Sequence, residues 1–196
     1  KLTKEDQDIV WFHCASLGEF EQGKPIIEGY KIKHPTHKIL LTFFSPSGYE
    51  IRKNYDGVDW VFYLPADTKK NAKKFITIVN PIKVIFIKYE FWFNYMAECK
   101  KQNIPFYSVS SIFRKEQSFF KYDFFAKQLN NVSHFFVQDQ NSKVLLQNIG
   151  VSNCTVAGDT RFDSVITNTQ NAISIPLIEK FSENKTTIIC GSTWPK

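Results

Sequence analysis

Three stretches of the sequence combine an acid or a base with small or aromatic residues, and each stands at the end of an apolar run. They are Ser16-Leu17-Gly18-Glu19, Lys88-Tyr89-Glu90-Phe91-Trp92 and Gly158-Asp159-Thr160-Arg161-Phe162-Asp163. A carboxylate at such a tip could act as a general base, and Gly18 would let a ligand approach the backbone. The same four residues also spell a helix capping box, with Ser16 as N-cap and Glu19 reaching back to its amide. Both readings can hold in different states of an enzyme. Glu90 could orient a sugar hydroxyl, pair with Lys88, or stand at a helix start that favours an acid. Ser45-Pro46-Ser47-Gly48-Tyr49 is a small-residue turn into a helix: its free amides would suit a phosphate or carboxylate, and an ordinary helix start is the other reading. It lacks the spacing and lysine of a P-loop, and it is not G-x-G-x-x-G. Arg114 and Arg161 are candidate binders of an anionic group. Each could equally sit in a surface ion pair, Arg161 with Asp159 or Asp163. Asp6-Gln7-Asp8 has the D-x-D form of a metal–nucleotide site but lies in a polar tail. His13, His34, His37 and His134 show no ligand spacing with a cysteine or carboxylate, so no metal site is expected. His13, inside an apolar run, reads as a core or rim histidine.

The elements that must position these residues follow from patterning. Short, nearly continuous apolar runs predict strands at Ile9–Ala15, Lys38–Phe44, Trp60–Leu64, Lys83–Lys88, Phe106–Ser110, His134–Val137 and Cys154–Ala157. Amphipathic segments between them predict helices at Glu19–Lys33, Ser47–Tyr55, Lys69–Val79, Trp92–Gln102, Phe119–Leu129 and Ser142–Ile149. Asn80-Pro81 and Gly150 mark helix ends. This alternation predicts an α/β fold: a Rossmann-like open parallel sheet with helices on both faces. Ligands of such sheets bind beyond the carboxyl ends of the strands, where the three stretches stand.

Residues 1–8 read as a polar tail and 9–166 as the Rossmann-like domain. Residues 167–185 read as a polar linker with a short helix at Ile175–Ser182. Residues 186–196 read as the first strand, Thr186–Cys190, and the loop Gly191-Ser192-Thr193-Trp194-Pro195 of a second domain. The chain is therefore expected to be the N-terminal half of a two-domain enzyme, cut just after the second domain begins. Its start at Lys1 leads to the further expectation of an upstream segment, where a membrane anchor could lie.

A formal net charge of +6 and 31 aromatic residues, from 19 Phe, 8 Tyr and 4 Trp, favour anionic partners and an apolar contact surface. Lys69, Lys70, Lys73 and Lys74, with the ring-rich segment Phe119–Phe125, could together face an anionic lipid. Core packing and a domain contact is the alternative for the rings. Four separated cysteines fit a reducing compartment, and no apolar run is long enough to span a bilayer.

Read together and in order, the tips resemble the N-terminal half of bacterial 3-deoxy-D-manno-octulosonate (Kdo) transferases. The motifs are His13-Cys14-Ala15-Ser16-Leu17-Gly18-Glu19-Phe20-Glu21, Leu41–Glu50, Lys88–Trp92, Phe135–Asp139 and Gly158–Asp163, with Gly191–Pro195 as the start of the second domain. The resemblance implies a GT-B enzyme that moves Kdo from CMP-Kdo to a lipid A precursor at the cytoplasmic face of the inner membrane. It implies inversion at the anomeric carbon and no cofactor or metal, because the leaving group is a monophosphate. Glu19 is implied as general base, with Ser16, Gly18, Ser45, Ser47, Gly48, Lys88, Glu90, Arg114 and Arg161 on the acceptor side and Ser192 and Thr193 on the donor side. The membrane surface is an implied partner and nucleic acid is not. Cys14 and Leu17 stand where smaller or other apolar residues are expected. The rival readings are another GT-B nucleotide-sugar transferase or epimerase half, and a non-enzymatic basic α/β binding module. On the family reading this half should fold but not turn over.

Overall fold

The computed structural model describes residues 8–88, 90–170, 174–191 and 193. Seven strands form a single parallel sheet in the order β3-β2-β1-β4-β5-β6-β7. They are β1 (Ile9–His13), β2 (Lys38–Phe43), β3 (Trp60–Tyr63), β4 (Lys83–Ile87), β5 (Phe106–Ser111), β6 (His134–Val137) and β7 (Cys154–Val156). The connecting helices are α1 (Leu17–Lys33), α2 (Pro46–Arg52), α3 (Lys69–Val79), α4 (Phe93–Lys101), α5 (Asp123–Leu129) and α6 (Gln140–Asn148). Beyond β7 come α7 (Arg161–Gln170) and α8 (Pro176–Ser182).

The strands read as uniformly apolar because alternate side chains enter two different cores. Trp11, Leu40, Val84, Phe86, Phe106 and Phe135 pack with Ile76 of α3, Met96 of α4 and Leu146 of α6. Val10, Phe12, Ile39, Leu41, Ile85 and Ile87 pack with Phe20 and Ile27 of α1. Helix α1 lies close to the sheet at Gly23. A methyl group there would stand 2.9 Å from Ile87 Cγ1 and 3.0 Å from Cys14 Sγ. This approach seats the first turn of α1 over the ends of β1 and β4.

Compact packing divides the chain after Ser164, so residues 165–196 form a separate unit. Within that unit the expected strand Thr186–Cys190 has no regular structure, and Ile188 and Ile189 are exposed. A strand exists through its ladder, and these residues have no partner strand among those described. The polar stretch expected as linker from 167 is helical as far as Gln170. The single helix expected over Phe119–Leu129 is instead a 3-10 turn, Ser118–Phe120, an extended Tyr122, and α5. A continuous helix would place its five rings around the whole circumference. The break lets Phe119 and Phe120 pack on the core while Tyr122 and Phe124 stay exposed.

Pro25 lies inside α1 and has no N–H for the Glu21 carbonyl, its i−4 partner. The Ser164 hydroxyl at the start of α7 donates to that carbonyl at 2.8 Å, so the orphaned acceptor is satisfied from the far end of the domain. Ser164→Ala is therefore expected to cost about 1–2 kcal/mol of unfolding free energy. In a Pro25→Ala background the restored amide removes most of that cost. Urea melts of the four chains in this cycle measure the coupling.

Candidate functional site

Strand order reverses between β1 and β4, the third and fourth strands across the sheet. The chain leaves β1 toward β2 and leaves β4 toward β5, so a crevice opens beyond their carboxyl ends. Glu19 comes from the β1 side of that crevice, Lys88 and Glu90 from the β4 side.

Ser16 is the N-cap of α1, and Glu19 is the returning acid of a capping box. The Ser16 amide donates to Glu19 Oε2 at 2.9 Å and the Ser16 hydroxyl to the same oxygen at 3.3 Å. Oε1 has no hydrogen-bond partner among the described residues. Glu19 is only 8% exposed. Burial raises its proton affinity above that of an ordinary carboxylate, and the negative charge of Glu90 adds to the effect. The Ser16 amide, the positive charge of Lys88 and the Ser16 hydroxyl oppose it. A carboxylate with raised affinity, one oxygen held by Ser16, is suited to accept a proton. Gly18 is exposed, with nothing within 4 Å of the position a Cβ would take, so the backbone here is open to a ligand.

The β4–α4 loop is fastened at both ends. Lys88 adopts φ 70, a left-handed conformation that costs a non-glycine residue energy. Its carbonyl accepts from Ser108 Oγ at 3.1 Å and Ser111 Oγ at 2.9 Å, which hold it there. At the other end Asp67, from the loop after β3, accepts from the Asn94 amide at 3.2 Å and the Tyr95 amide at 3.3 Å, capping α4 from outside its own chain segment. Between them Glu90 Oε2 accepts from Trp92 Nε1 at 2.8 Å.

The last residue of β1 is His13, fully buried, whose Nδ1 is 2.9 Å from Thr42 Oγ1. Trp11 Nε1 donates to the same hydroxyl at 2.7 Å. Burial lowers the His13 pKa to about 3, so the imidazole is neutral at physiological pH. It is a packing residue against Phe86 and Trp92, as its place in an apolar run suggested.

The turn after β2 is the ordinary helix start, one of the two readings of its sequence. Ser45 caps α2 by accepting from the Ser47 amide, while the Gly48 amide donates to the Ser45 carbonyl and the Ser45 amide to Ala15. The amides expected to be free are thus used internally, and a helix start accounts for them. Gly48 is required sterically, since a Cβ there would fall 2.3 Å from the buried Phe43 ring.

Arg161 forms an ion pair with Asp159, donating from Nε to Oδ2 at 2.8 Å, so its fork is already engaged. Lys88 also favours the charged form of Asp159, which brings the β7 tip into the field of the crevice. Arg114 is exposed, and its guanidinium has no partner among the described residues. Ser192 lies outside the described residues. Thr193 is exposed in the separate unit after Ser164. Among the described residues no group of three or more His, Cys, Asp or Glu side chains could hold a metal ion. None of the helices described is long and apolar enough to cross a membrane.

Ser110 at the end of β5, with Gln138 and Thr160 from the stretches after β6 and β7, completes the tip. Ser110 has φ 56 at a break in the β5–β6 register and is held by Gln138 Nε2, 2.9 Å from its carbonyl. Thr160 Oγ1 donates to Ser110 Oγ at 3.3 Å. The available signal was the run Ser108-Val109-Ser110-Ser111, polar where the neighbouring strands are apolar.

The Glu19 environment sets a sign for stability against pH. Folding raises the affinity of Glu19 for its proton, so the folded chain takes up a proton as pH falls toward the ordinary carboxylate value of 4.5. The stabilisation this gives is full at acid pH and is lost as pH rises through the raised pKa. Glu19→Gln keeps an oxygen for Ser16 and removes the charge. It should raise the melting temperature near neutral pH, by roughly 2–4 °C for each kcal/mol regained. That gain should shrink toward zero near pH 4, about where the wild-type carboxyl is also protonated.

A family model described as 3-deoxy-D-manno-octulosonic-acid transferase (kdotransferase) matches residues 1–164. A 3-deoxy-D-manno-octulosonic acid transferase of Chlamydia trachomatis serovar A is 25% identical over 206 residues, covering 100% of this chain and 47% of the relative. The Aquifex aeolicus protein of the same name is 36% identical over 90 residues, covering 45% of this chain and 25% of its own length. The chain thus spans about half the length, or less, of the curated relatives it matches. In fold it is similar to a putative UDP-N-acetylglucosamine 2-epimerase from Listeria monocytogenes, with TM-score 0.68 and 14% identity over 92% of this chain and 53% of that one. The UDP-GlcNAc 2-epimerase from Neisseria meningitidis bound to UDP-GlcNAc gives TM-score 0.63 at 16% identity, covering 88% and 52%.

Proposed function

The chain belongs to the 3-deoxy-D-manno-octulosonic acid transferase family, and on that premise we propose that it is the acceptor-side half of a GT-B enzyme transferring Kdo from CMP-Kdo to a lipid A precursor. The observation that carries this reading is Glu19: a buried carboxylate of raised proton affinity at the switch-point crevice, held through Oε2 by Ser16.

Glu19 Oε1 takes the proton from the attacking sugar hydroxyl of the acceptor. That oxygen forms its bond to the anomeric carbon of Kdo while the bond from that carbon to the CMP phosphate oxygen breaks. CMP leaves with the electron pair, and the configuration inverts. Lys88 favours the ionised form of Glu19 that the step requires, and Glu90 keeps its proton affinity high. The two opposing charges adjust one base.

Arg114, exposed and with no guanidinium partner among the described residues, is the acceptor-side cation assigned to a phosphate of the lipid. Arg161 acts first as the partner of Asp159. Ser45, Ser47 and Gly48 contribute the shape of the turn rather than free donors. Ser192 and Thr193 are assigned to the donor side on the family resemblance. The net charge of +6 and the exposed Tyr122 and Phe124 suit work at the cytoplasmic face of an anionic inner membrane.

In the full-length protein, Glu19→Gln should lower kcat by about 10²–10⁴-fold with the protein still folded. Unchanged transfer from CMP-Kdo to a lipid A precursor would remove Glu19 as the base. The acidic limb of the kcat/KM profile should follow Glu19 ionisation, with rate rising as pH rises through its raised pKa. Glu90→Gln removes one cause of that elevation and should move the limb to lower pH. The chain of residues 1–196 alone, given both substrates, should show no turnover.

A further inference from the structure

We propose that Trp92 is a positioning residue whose indole N–H fixes the Glu90 carboxylate beside Glu19. The geometry sets this role apart from ordinary packing. Trp92 Nε1 stands 2.8 Å from Glu90 Oε2, close to the ideal for a charge-assisted bond. Two residues apart on an irregular loop, the pair is not an automatic product of helix or strand spacing.

The ring itself is immobilised from three elements. It meets His13 of β1 edge-on with centroids 5.3 Å apart, Phe44 after β2 at 4.9 Å, and Tyr95 of α4 at 5.9 Å. His13 is in turn pinned by Thr42. A rigid donor anchored on β1 and β2 thus reaches across the strand reversal and holds an acid delivered by β4. Without it, Glu90 sits on a loop fixed only at Lys88 and at the α4 cap, and its carboxylate can turn to solvent.

The charged groups around Glu19 are few enough to predict the outcome. Glu90 raises its proton affinity; Lys88 and the Ser16 donors lower it. Cys14 also feels the Glu19 charge, but its buried thiol stays protonated. Asp159 is paired with Arg161 and feels the charge of Lys88. If Trp92 acts by holding Glu90, its loss should lower the Glu19 titration midpoint in the same direction as loss of Glu90 itself. The consequence for transfer rests on Glu19 being the base. The positional claim does not, and its test needs no turnover.

The test is carboxyl ¹³C NMR titration of the 196-residue chain labelled at glutamate, with the Glu19 signal identified by its loss in Glu19→Gln. Wild type, Trp92→Phe, Glu90→Gln and the double variant form a cycle. The expected result is a fall of about half a pH unit or more in Trp92→Phe, and almost no further effect of Trp92→Phe once Glu90 is Gln. A Glu19 midpoint unchanged or raised in Trp92→Phe overturns the proposal. So does an equal fall with and without Glu90, because water entry alone would then explain it. Should Trp92→Phe fail to fold, benzothienylalanine at position 92 keeps the ring size and removes only the N–H, and the same outcomes apply. A midpoint shift with no change in transfer by the full-length enzyme would leave Trp92 in place and count against Glu19 as base.

Discussion

The parallel pairing of β1 with β4 is the constraint on which the rest depends. Its register is short, Val10 to Lys83 through His13 to Phe86, and both strands are buried on each face. Right-handed crossovers carry the chain away from this pair in opposite directions, so no connection can cover the space above it. The crevice is a result of topology rather than of particular side chains. What the sequence adds is close helix approach at Gly23 and a set of charges at the rim.

Those charges oppose each other by design of placement. A carboxylate with little exposure would be destabilising if it were left unpaired, and Ser16 supplies donors to only one of its oxygens. The remaining deficit leaves burial and the Glu90 charge to hold the proton affinity of Glu19 above that of an ordinary acid. The same logic applies to Lys88. Its strained backbone is held by two buried serine hydroxyls, so the side chain leaves the sheet at an angle a relaxed strand end would not give.

Much of the fold was legible because these strands enter two cores and therefore have no polar face. β6 and α3 run over the predicted residues without change, and the other six strands differ only at their ends. Legibility failed where an element needs a partner. Thr186–Cys190 has strand composition but no ladder, and the rings of Phe119–Phe125 could not share one helical face. In the site, Glu19 was visible as a motif, and the capping box that the motif spells is formed. Its burial was not visible, because that depends on β4 residues arriving beside it. Between the two readings of Ser45–Gly48 the sequence could not choose for a related reason: amides counted as free along the chain are used up once Ser45 turns to cap them. The Trp92–Glu90 contact follows no sequence period and could be seen only in three dimensions.

Because β2, α2, β3 and α3 intervene between β1 and β4, the first helix exists on an emerging chain well before its neighbours across the reversal. Glu19 would at that stage be an ordinary hydrated acid on an N-terminal turn. It acquires its character only when β4 inserts in the middle of a half-built sheet, and the Ser164 hydroxyl can reach the Glu21 carbonyl only after β7 has followed. Non-local closure of this kind is slow relative to helix formation. The raised proton affinity of one side chain is thus a clock for assembly: it arises only once β4 lies beside β1.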